Sequence, residues 1–341
     1  MKKSSILVSL VLVIVLVLSG CGNKSANNSS ADNSKKTKLK TLKIGYPGTG
    51  NNTAGDLLAV GIDKGYFKDE LKDLVTDVQF INFSGAGPAI NEALASKDLD
   101  IGVYGDTPAV TAKSNGIDTT LVGAGNTALD AAIIVNPNSS IKSVKDLKGK
   151  KVATTKGSYM HKTLAQMLQA NGLSIKDIQF INMNTSDSEA ALFSNQLDAI
   201  VESNTGAAKL VTKKQGRVLL DCRDNPEWKG MNIVISRTEF AKENPEVITG
   251  LIKGFEKARD FVNKNPEETK TIWAKSGIPK EAYDYLYPNN NFGDTFNVEL
   301  NQSVIDKLNS TKSFLKDNEL IKKDFNINDW ADKSYYEKSL K

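Results

Sequence analysis

A six-residue segment has a near-copy one hundred residues later in this chain: Val78-Gln79-Phe80-Ile81-Asn82-Phe83 is echoed by Ile178-Gln179-Phe180-Ile181-Asn182-Met183. Both copies read as buried strands. Each is followed by a short loop, a helix (88–96 and 188–195) and a second strand led by a Leu-Asp pair. Those strands are Leu99-Asp100-Ile101-Gly102-Val103 and Leu197-Asp198-Ala199-Ile200-Val201. A strand–helix–strand unit echoed at domain scale predicts two lobes of similar α/β build, each on a largely parallel sheet. The length agrees, since at about 150 residues per domain a chain of 341 residues makes two folding units.

The remaining pattern distributes around those units. A strand over 42–45 runs into the Gly-rich loop Tyr46-Pro47-Gly48-Thr49-Gly50, and a helix follows that ends near Gly65. In the second lobe, Ile133-Ile134-Val135 is a strand, and 144–153 reads as a small helix feeding another. The main helix there starts near Ser158, carries Met160, Leu164, Met167 and Leu168 on one face, and has Gly172 as its C-terminal cap. After Met231-Asn232-Ile233-Val234-Ile235 the chain turns helical, with Ile248, Leu251, Ile252, Phe255, Ala258, Phe261 and Val262 along one stripe. These helices are expected to return over the first lobe. Lobe 1 is then 42–130 plus 231–341 and lobe 2 is 131–230, with two chain crossings and a ligand cleft between the lobes, a geometry that closes around solutes.

The first residues decide the compartment. Lys2 and Lys3 precede thirteen residues, Ile6 to Leu18, that are all Ile, Leu or Val except Ser9. That run is a signal peptide (1–20), shorter than the ~20 residues a membrane-spanning helix needs. It closes on Leu18-Ser19-Gly20-Cys21, which resembles the bacterial lipobox and implies Cys21 as a lipidated first residue. The segment 21–41 is rich in Asn, Ser, Lys and Ala and reads as a flexible tether. Forty-four Lys plus Arg against 40 Asp plus Glu give +4, or 42 − 40 = +2 without Lys2 and Lys3, too little for an electrostatic grip on nucleic acid. With Cys21 lipidated, Cys222 has no disulfide partner and reads as a packing residue. It and the single histidine, His161, make too small a set for a Cys/His metal site, and no cofactor is called for.

In α/β sheets, ligands bind beyond the carboxyl ends of the strands. Four segments fall there: 46–52, 84–88, 105–108 and 154–161. The last combines a strand (151–154), Gly157 for close backbone approach, and Ser158 to open a helix whose free N–H groups and dipole attract an oxyanion. His161, in the first turn, either donates to the same anion or is a surface or capped histidine with no ligand. Ser84-Gly85-Ala86-Gly87-Pro88 repeats the design in lobe 1, as an anion contact or an ordinary β–α turn. Asp106 reads as a helix cap or a ligand group, and Thr107 as a ligand donor. Glu202, just past its strand, is either a solvated hinge residue or a partner for a ligand amine. The candidate ligand-binding set is Gly48, Ser84, Gly85, Ala86, Asp106, Thr107, Gly157, Ser158, Tyr159, His161 and Glu202. No Ser–His–Asp set, phosphate loop or glycosidase carboxylate pair with supporting context is present, so the chain reads as a binder and not an enzyme.

These stretches together resemble the solute-binding lipoproteins of bacterial ABC importers, which have the type II-like periplasmic-binding-protein fold. Within them the chain is similar to the aliphatic sulfonate, taurine and nitrate binding group, related in fold to thiamine-precursor binders. The resemblance rests on Gly65-Tyr66-Phe67, 84–88, 99–102, Gly105-Asp106-Thr107-Pro108-Ala109, 144–152 and Gly157-Ser158-Tyr159-Met160-His161, and covers about 42–199. It implies Thr107, Ser158 and His161 as sulfonate contacts. One departure is Val201-Glu202-Ser203-Asn204-Thr205-Gly206, where sulfonate binders usually carry an aromatic or Asp-Pro segment. The implied function is capture of a small anionic organic solute, an aliphatic sulfonate or taurine-like compound, by a monomer lipid-anchored on the extracytoplasmic face and partnered by an ABC permease and ATPase. A nitrate receptor is the alternative, as is a thiamine-precursor pyrimidine receptor using Tyr46, Tyr104 or Tyr159 for stacking. A pyrimidine-synthase-like enzyme would need a Cys-rich motif that two cysteines cannot supply, and an adhesin or sensor would lack the transport partner.

Overall fold

The structure, a computed structural model, describes residues 37–48, 54–223 and 225–341. The expected signal peptide, Cys21, the tether up to residue 36 and residues 49–52 of the Gly-rich loop lie outside the described residues. In chain order the elements are β1 (Leu39–Pro47), α1 (Asp56–Asp63), α2 (Tyr66–Leu71), β2 (Val75–Phe83), α3 (Ala86–Ala95), β3 (Ile101–Gly105), α4 (Asp106–Ser114) and β4 (Thr119–Ala124). The chain continues with β5 (Ala131–Val135), β6 (Lys151–Thr154), α5 (Tyr159–Ala170), β7 (Gln179–Asn182), α6 (Thr185–Phe193), β8 (Ala199–Ser203), α7 (Asn204–Thr212) and β9 (Arg217–Asp221). It ends with β10 (Asn232–Arg237), α8 (Thr238–Glu243), α9 (Pro245–Lys264), α10 (Pro266–Ala274), α11 (Lys280–Leu286), α12 (Gln302–Asp317), α13 (Ile327–Trp330) and α14 (Ser334–Ser339).

Two five-stranded sheets result, ordered β2-β1-β3-β10-β4 and β7-β6-β8-β5-β9. They are built alike, and the sequence echo marks equivalent places: β2 matches β7, and the Leu-Asp pairs lead β3 and β8. Each Asp fastens its strand to the neighbour. Lys43 N–H donates to Asp100 Oδ2 at 2.9 Å and Lys151 N–H to Asp198 Oδ2 at 2.8 Å. The return amides, Asp100 to Lys43 O and Asp198 to Lys151 O, close both rings at 3.1 and 3.0 Å.

Each sheet is largely parallel, as expected, with four of its five strands running the same way and one reversed. β1 pairs parallel with β2 and β3, and β6 with β7 and β8, but β10 runs antiparallel to β3 and β4, and β5 antiparallel to β8 and β9. The cause is the crossings. β5 and β10 each enter a sheet directly after the chain passes between lobes, so they start at the cleft end, where Ala131 faces Ser203 and Asn232 faces Gly105. The echoed strands, by contrast, are not buried: β2 and β7 are the outermost strands of their sheets, and apart from Val75 their residues are half-buried or exposed.

Helices cover both faces of each sheet. On lobe 1, Pro245 opens α9 at a position where its missing N–H is no loss. The stripe Ile248, Leu251, Ile252, Phe255, Ala258 and Val262 is buried against Phe67 of α2 and Leu42 and Ile44 of β1. The far face holds Tyr104, Ile233, Leu308 and Trp330. In lobe 2, Leu164, Met167 and Leu168 of α5 pack with Val152 and Cys222. The two crossing segments meet at Leu129 and Gly230, which exchange both backbone hydrogen bonds at 2.9 Å, and Lys229 pairs with Asp130 at 3.0 Å. Residues 38–341 form one compact unit, and no described helix is long and apolar enough to cross a membrane.

Candidate functional site

A cavity of about 450 Å³ lies between the lobes, within the range of small-molecule sites. Lobe 1 contributes Tyr46 and Gly48 from the end of β1, Asp56 from the start of α1, and Ser84 and Ala86 from the turn into α3. Lobe 2 contributes Thr155, Tyr159, Glu189, Lys209 and the β8–α7 corner from Glu202 to Gly206.

The helix N-termini that approach this cavity differ between lobes. In lobe 2 each has a side-chain cap that takes one amide of the first turn. Ser158 Oγ accepts from His161 N–H at 3.3 Å, Asn184 Oδ1 from Asp187 N–H at 3.0 Å, and Ser203 Oγ from Gly206 N–H at 3.2 Å. In lobe 1, α1 and α3 follow Gly55 and Gly85, and neither has a side-chain cap among the described residues. Gly85 is right-handed (φ −75°, ψ 6°) and Ala86 left-handed (φ 52°). A right-then-left pair turns successive N–H groups inward to form a concave anion nest.

At the expected anion site, the groups of Gly157, Ser158 and His161 bond within their own turn, while Tyr159 and Met160 at the start of α5 line the cavity. Ser158 Oγ, besides capping His161 N–H, donates to Thr155 O at 2.7 Å, and Gly157 N–H donates to His161 Nδ1 at 3.3 Å. The His161 ring packs on Phe180 with centroids 4.9 Å apart. Burial, reinforced by the charge of Lys156, pushes its ionisation below the usual imidazole range, so it is neutral at pH 7. Asp106 and Thr107, 1% and 2% exposed, face the junction of the lobes instead of the cavity. Asp106 Oδ1 accepts from Thr107 N–H (2.7 Å) and Oγ1 (3.2 Å), and Oδ2 from Thr311 Oγ1 (2.8 Å). The buried Lys162 of α5 donates to Thr311 Oγ1 at 3.1 Å and to Lys229 O at 3.3 Å. Of the predicted set, Gly48, Ser84, Ala86, Tyr159 and Glu202 are on the cavity wall, whereas Gly85, Asp106, Thr107, Gly157, Ser158 and His161 are not. Cys222 is buried, accepts from Ala131 N–H at 3.0 Å, and burial pushes its thiol up to about 12.

Sequence reasoning missed Asp56, Asn126, Asn232, Glu189 and Lys209. The two asparagines lie on the two crossings, and both reach Asp56 Oδ2, at 3.3 Å from Asn126 and 2.9 Å from Asn232. Asp56, itself left-handed at φ 51°, also has its carbonyl bonded by Trp273 Nε1 at 2.9 Å. The available signal was an Asp opening a helix just past the Gly-rich loop, a few residues beyond the stretch singled out. Glu189 holds Lys209 Nζ at 2.5 and 2.7 Å. Burial raises Asp56 to about 6 against the partial relief of the two amides, and burial with the nearby Glu189 raises Glu202 well above the carboxylate range. A carboxyl raised on folding binds its proton more tightly in the native state. Its contribution is full below the unfolded value of ~4 and is lost as pH rises through the folded one. The solute-free protein should thus lose melting temperature from about pH 4 upward. Asp56→Asn should flatten the curve up to about pH 6, with Glu202 sustaining the slope above, as thermal melts across pH would show.

This geometry stands beside three comparisons. The family description "NMT1/THI5 like" matches residues 51–269. A Bacillus subtilis (strain 168) protein named for aliphatic sulfonate binding is 29% identical over 344 residues, covering 100% of this chain and 97% of the relative. An Escherichia coli (strain K12) protein named likewise is 30% identical over 269 residues, covering 78% of this chain and 80% of the relative. The crystal structure of the periplasmic aliphatic sulphonate binding protein SsuA from Escherichia coli superposes with a TM-score of 0.69 at 26% identity, over 86% of this chain and 97% of that one. Two matched sheets, two crossings and a walled cleft agree with that likeness, and the chain belongs to the NMT1/THI5-like family.

Proposed function

We propose that this protein is the extracytoplasmic solute receptor of an ABC importer, anchored through lipid on Cys21, which binds an aliphatic sulfonate in the cleft and delivers it unchanged to a permease. The observation that carries the reading is the uncapped turn at Gly85-Ala86, whose Ser84 and Ala86 stand on the wall of a cavity of about 450 Å³. A sulfonate presents three oxygens on one centre, and the amides from Gly85 to Gly87 can meet them together with the dipole of α3. Ser84 Oγ stands at the same turn. The names of the Bacillus and Escherichia relatives support the chemical class. The anion thus sits on lobe 1, and the turn at Gly157 and Ser158 serves to shape α5.

Calorimetric titration with ethanesulfonate tests this. Ala86→Asp puts a carboxylate where the anion would sit, at a φ that Asp tolerates better than Ala. It should weaken binding by about 100-fold, because like charges brought together cost several kcal/mol. His161→Ala should change the dissociation constant by less than about 3-fold, below ~0.7 kcal/mol. A large loss in His161→Ala with none in Ala86→Asp would place the anion on lobe 2. Recovery of the solute chemically altered would contradict the receptor reading.

A further inference from the structure

One acidic group on the cavity wall has no hydrogen-bond partner among the described residues. Glu202 is 0% exposed, ends β8 at the wall of lobe 2, and neither carboxyl oxygen has a hydrogen-bond partner among the described residues. It is not the solvated hinge residue that the sequence allowed. The other acids there are engaged: Lys209 holds Glu189, and Asn126 and Asn232 hold Asp56. The chain also keeps room for this carboxyl. A Cβ on Gly206 would lie 2.4 Å from Glu202 Oε2, so a side chain there would push the carboxyl out of this position.

A buried acid with two unmet oxygens is unfavourable unless something completes it. We infer that Glu202 receives a protonated nitrogen of the solute, so that the cleft selects a compound carrying an ammonium group together with its anionic group. This rests on the receptor reading above. An ammonium has three donors and meets both oxygens at once, in the stronger charge-assisted form. A hydroxyl would supply one donor and leave the second oxygen unmet. The wall itself favours a cation. Glu189 from α6 and Glu202 from β8 share it with the single charge of Lys209 from α7, which Glu189 already takes, and Asp56 from α1 faces the same cavity beside Tyr159 of α5. The anion nest lies on the opposite lobe. Ala86 and Glu202 line the same cavity from opposite lobes, so a solute with a charge at each end is held at both only when both lobes contribute. In the empty cleft, burial and Glu189 keep the proton on Glu202. Capture of the ammonium ionises the carboxyl and releases that proton to solvent.

The test is titration of the mature chain with matched pairs: ethanesulfonate against 2-aminoethanesulfonate, and propanesulfonate against 3-aminopropanesulfonate. The amine-bearing member should bind about 10-fold tighter or better, the scale of a hydrogen bond to a charged group. In Glu202→Gln the ratio within each pair should fall to within about 3-fold. If that variant does not fold, the wild-type chain still decides. At pH 6, heats of binding for the amine-bearing member should differ between buffers of unlike ionisation enthalpy, and those for its partner should not. Equal affinities within the pairs, an undiminished ratio in Glu202→Gln, or buffer-independent heats would each overturn the inference while leaving a sulfonate receptor intact. Failure of all four compounds to bind would overturn the receptor reading and this one with it.

Discussion

Trp273→Ala is expected to lower the unfolding free energy by about 3–5 kcal/mol, the range for removing a large aromatic from a packed interior. Trp273 is 2% exposed and sits amid four rings, with centroids at 5.4 Å to Tyr283, 5.9 Å to Tyr287, 5.5 Å to Phe292 and 5.6 Å to Phe296. Its indole N–H fixes the Asp56 carbonyl at the head of α1. The same substitution therefore loosens the lobe 1 wall, and solute affinity should fall along with stability. Trp273→Phe keeps most of the packing and loses the hydrogen bond, so it should cost only about 1–2 kcal/mol. Urea unfolding followed by circular dichroism separates the two variants. A loss below about 1 kcal/mol in Trp273→Ala would contradict this role, being far short of the range for a buried aromatic.

Asp106→Ala should be comparably damaging, by about 3–5 kcal/mol, because it breaks a buried charged network and leaves the other groups in place. The Thr107 amide loses its acceptor, Thr311 loses the carboxylate to which it donates, and the ammonium of Lys162 stays buried near an uncharged site. Lys162→Met in the Asp106→Ala background removes the stranded charge. The double variant should thus be more stable than the two single losses summed, by about 1–3 kcal/mol. Strict additivity would mean that Thr311 does not couple lobe 2's α5 to lobe 1's α4.

Much of the architecture was legible in residue order because each lobe announces itself with the same device. The echo over 78–83 and 178–183 and the two Leu-Asp pairs located equivalent strands, and their carboxylates turned out to fasten equivalent amides of β1 and β6. The apolar stripes of α5 and α9 were readable for the same reason, being periodic and local. The reversal of β5 and β10 was not. Nothing in Ala131 to Val135 or Asn232 to Arg237 records that these strands enter from the cleft, a consequence of the crossings. The site was only half legible. Ser158 reads both as a helix cap and as the start of a run of free amides, but its hydroxyl takes the His161 amide, and the imidazole takes that of Gly157. By contrast Ser84-Gly85-Ala86-Gly87-Pro88 reads as an ordinary turn until its dihedral angles are known. Asp56 depends on Asn126 and Asn232, 70 and 176 residues away, a juxtaposition that only the folded crossings create.

A crystal structure of the protein grown with 2-aminoethanesulfonate tests the placement of charge in the cleft most directly. The sulfonate oxygens are expected within hydrogen-bonding distance of the amides from Gly85 to Gly87, with the nitrogen against Glu202. A sulfonate bound instead to the turn at Gly157, Ser158 and His161, or outside the space between the lobes, would contradict it.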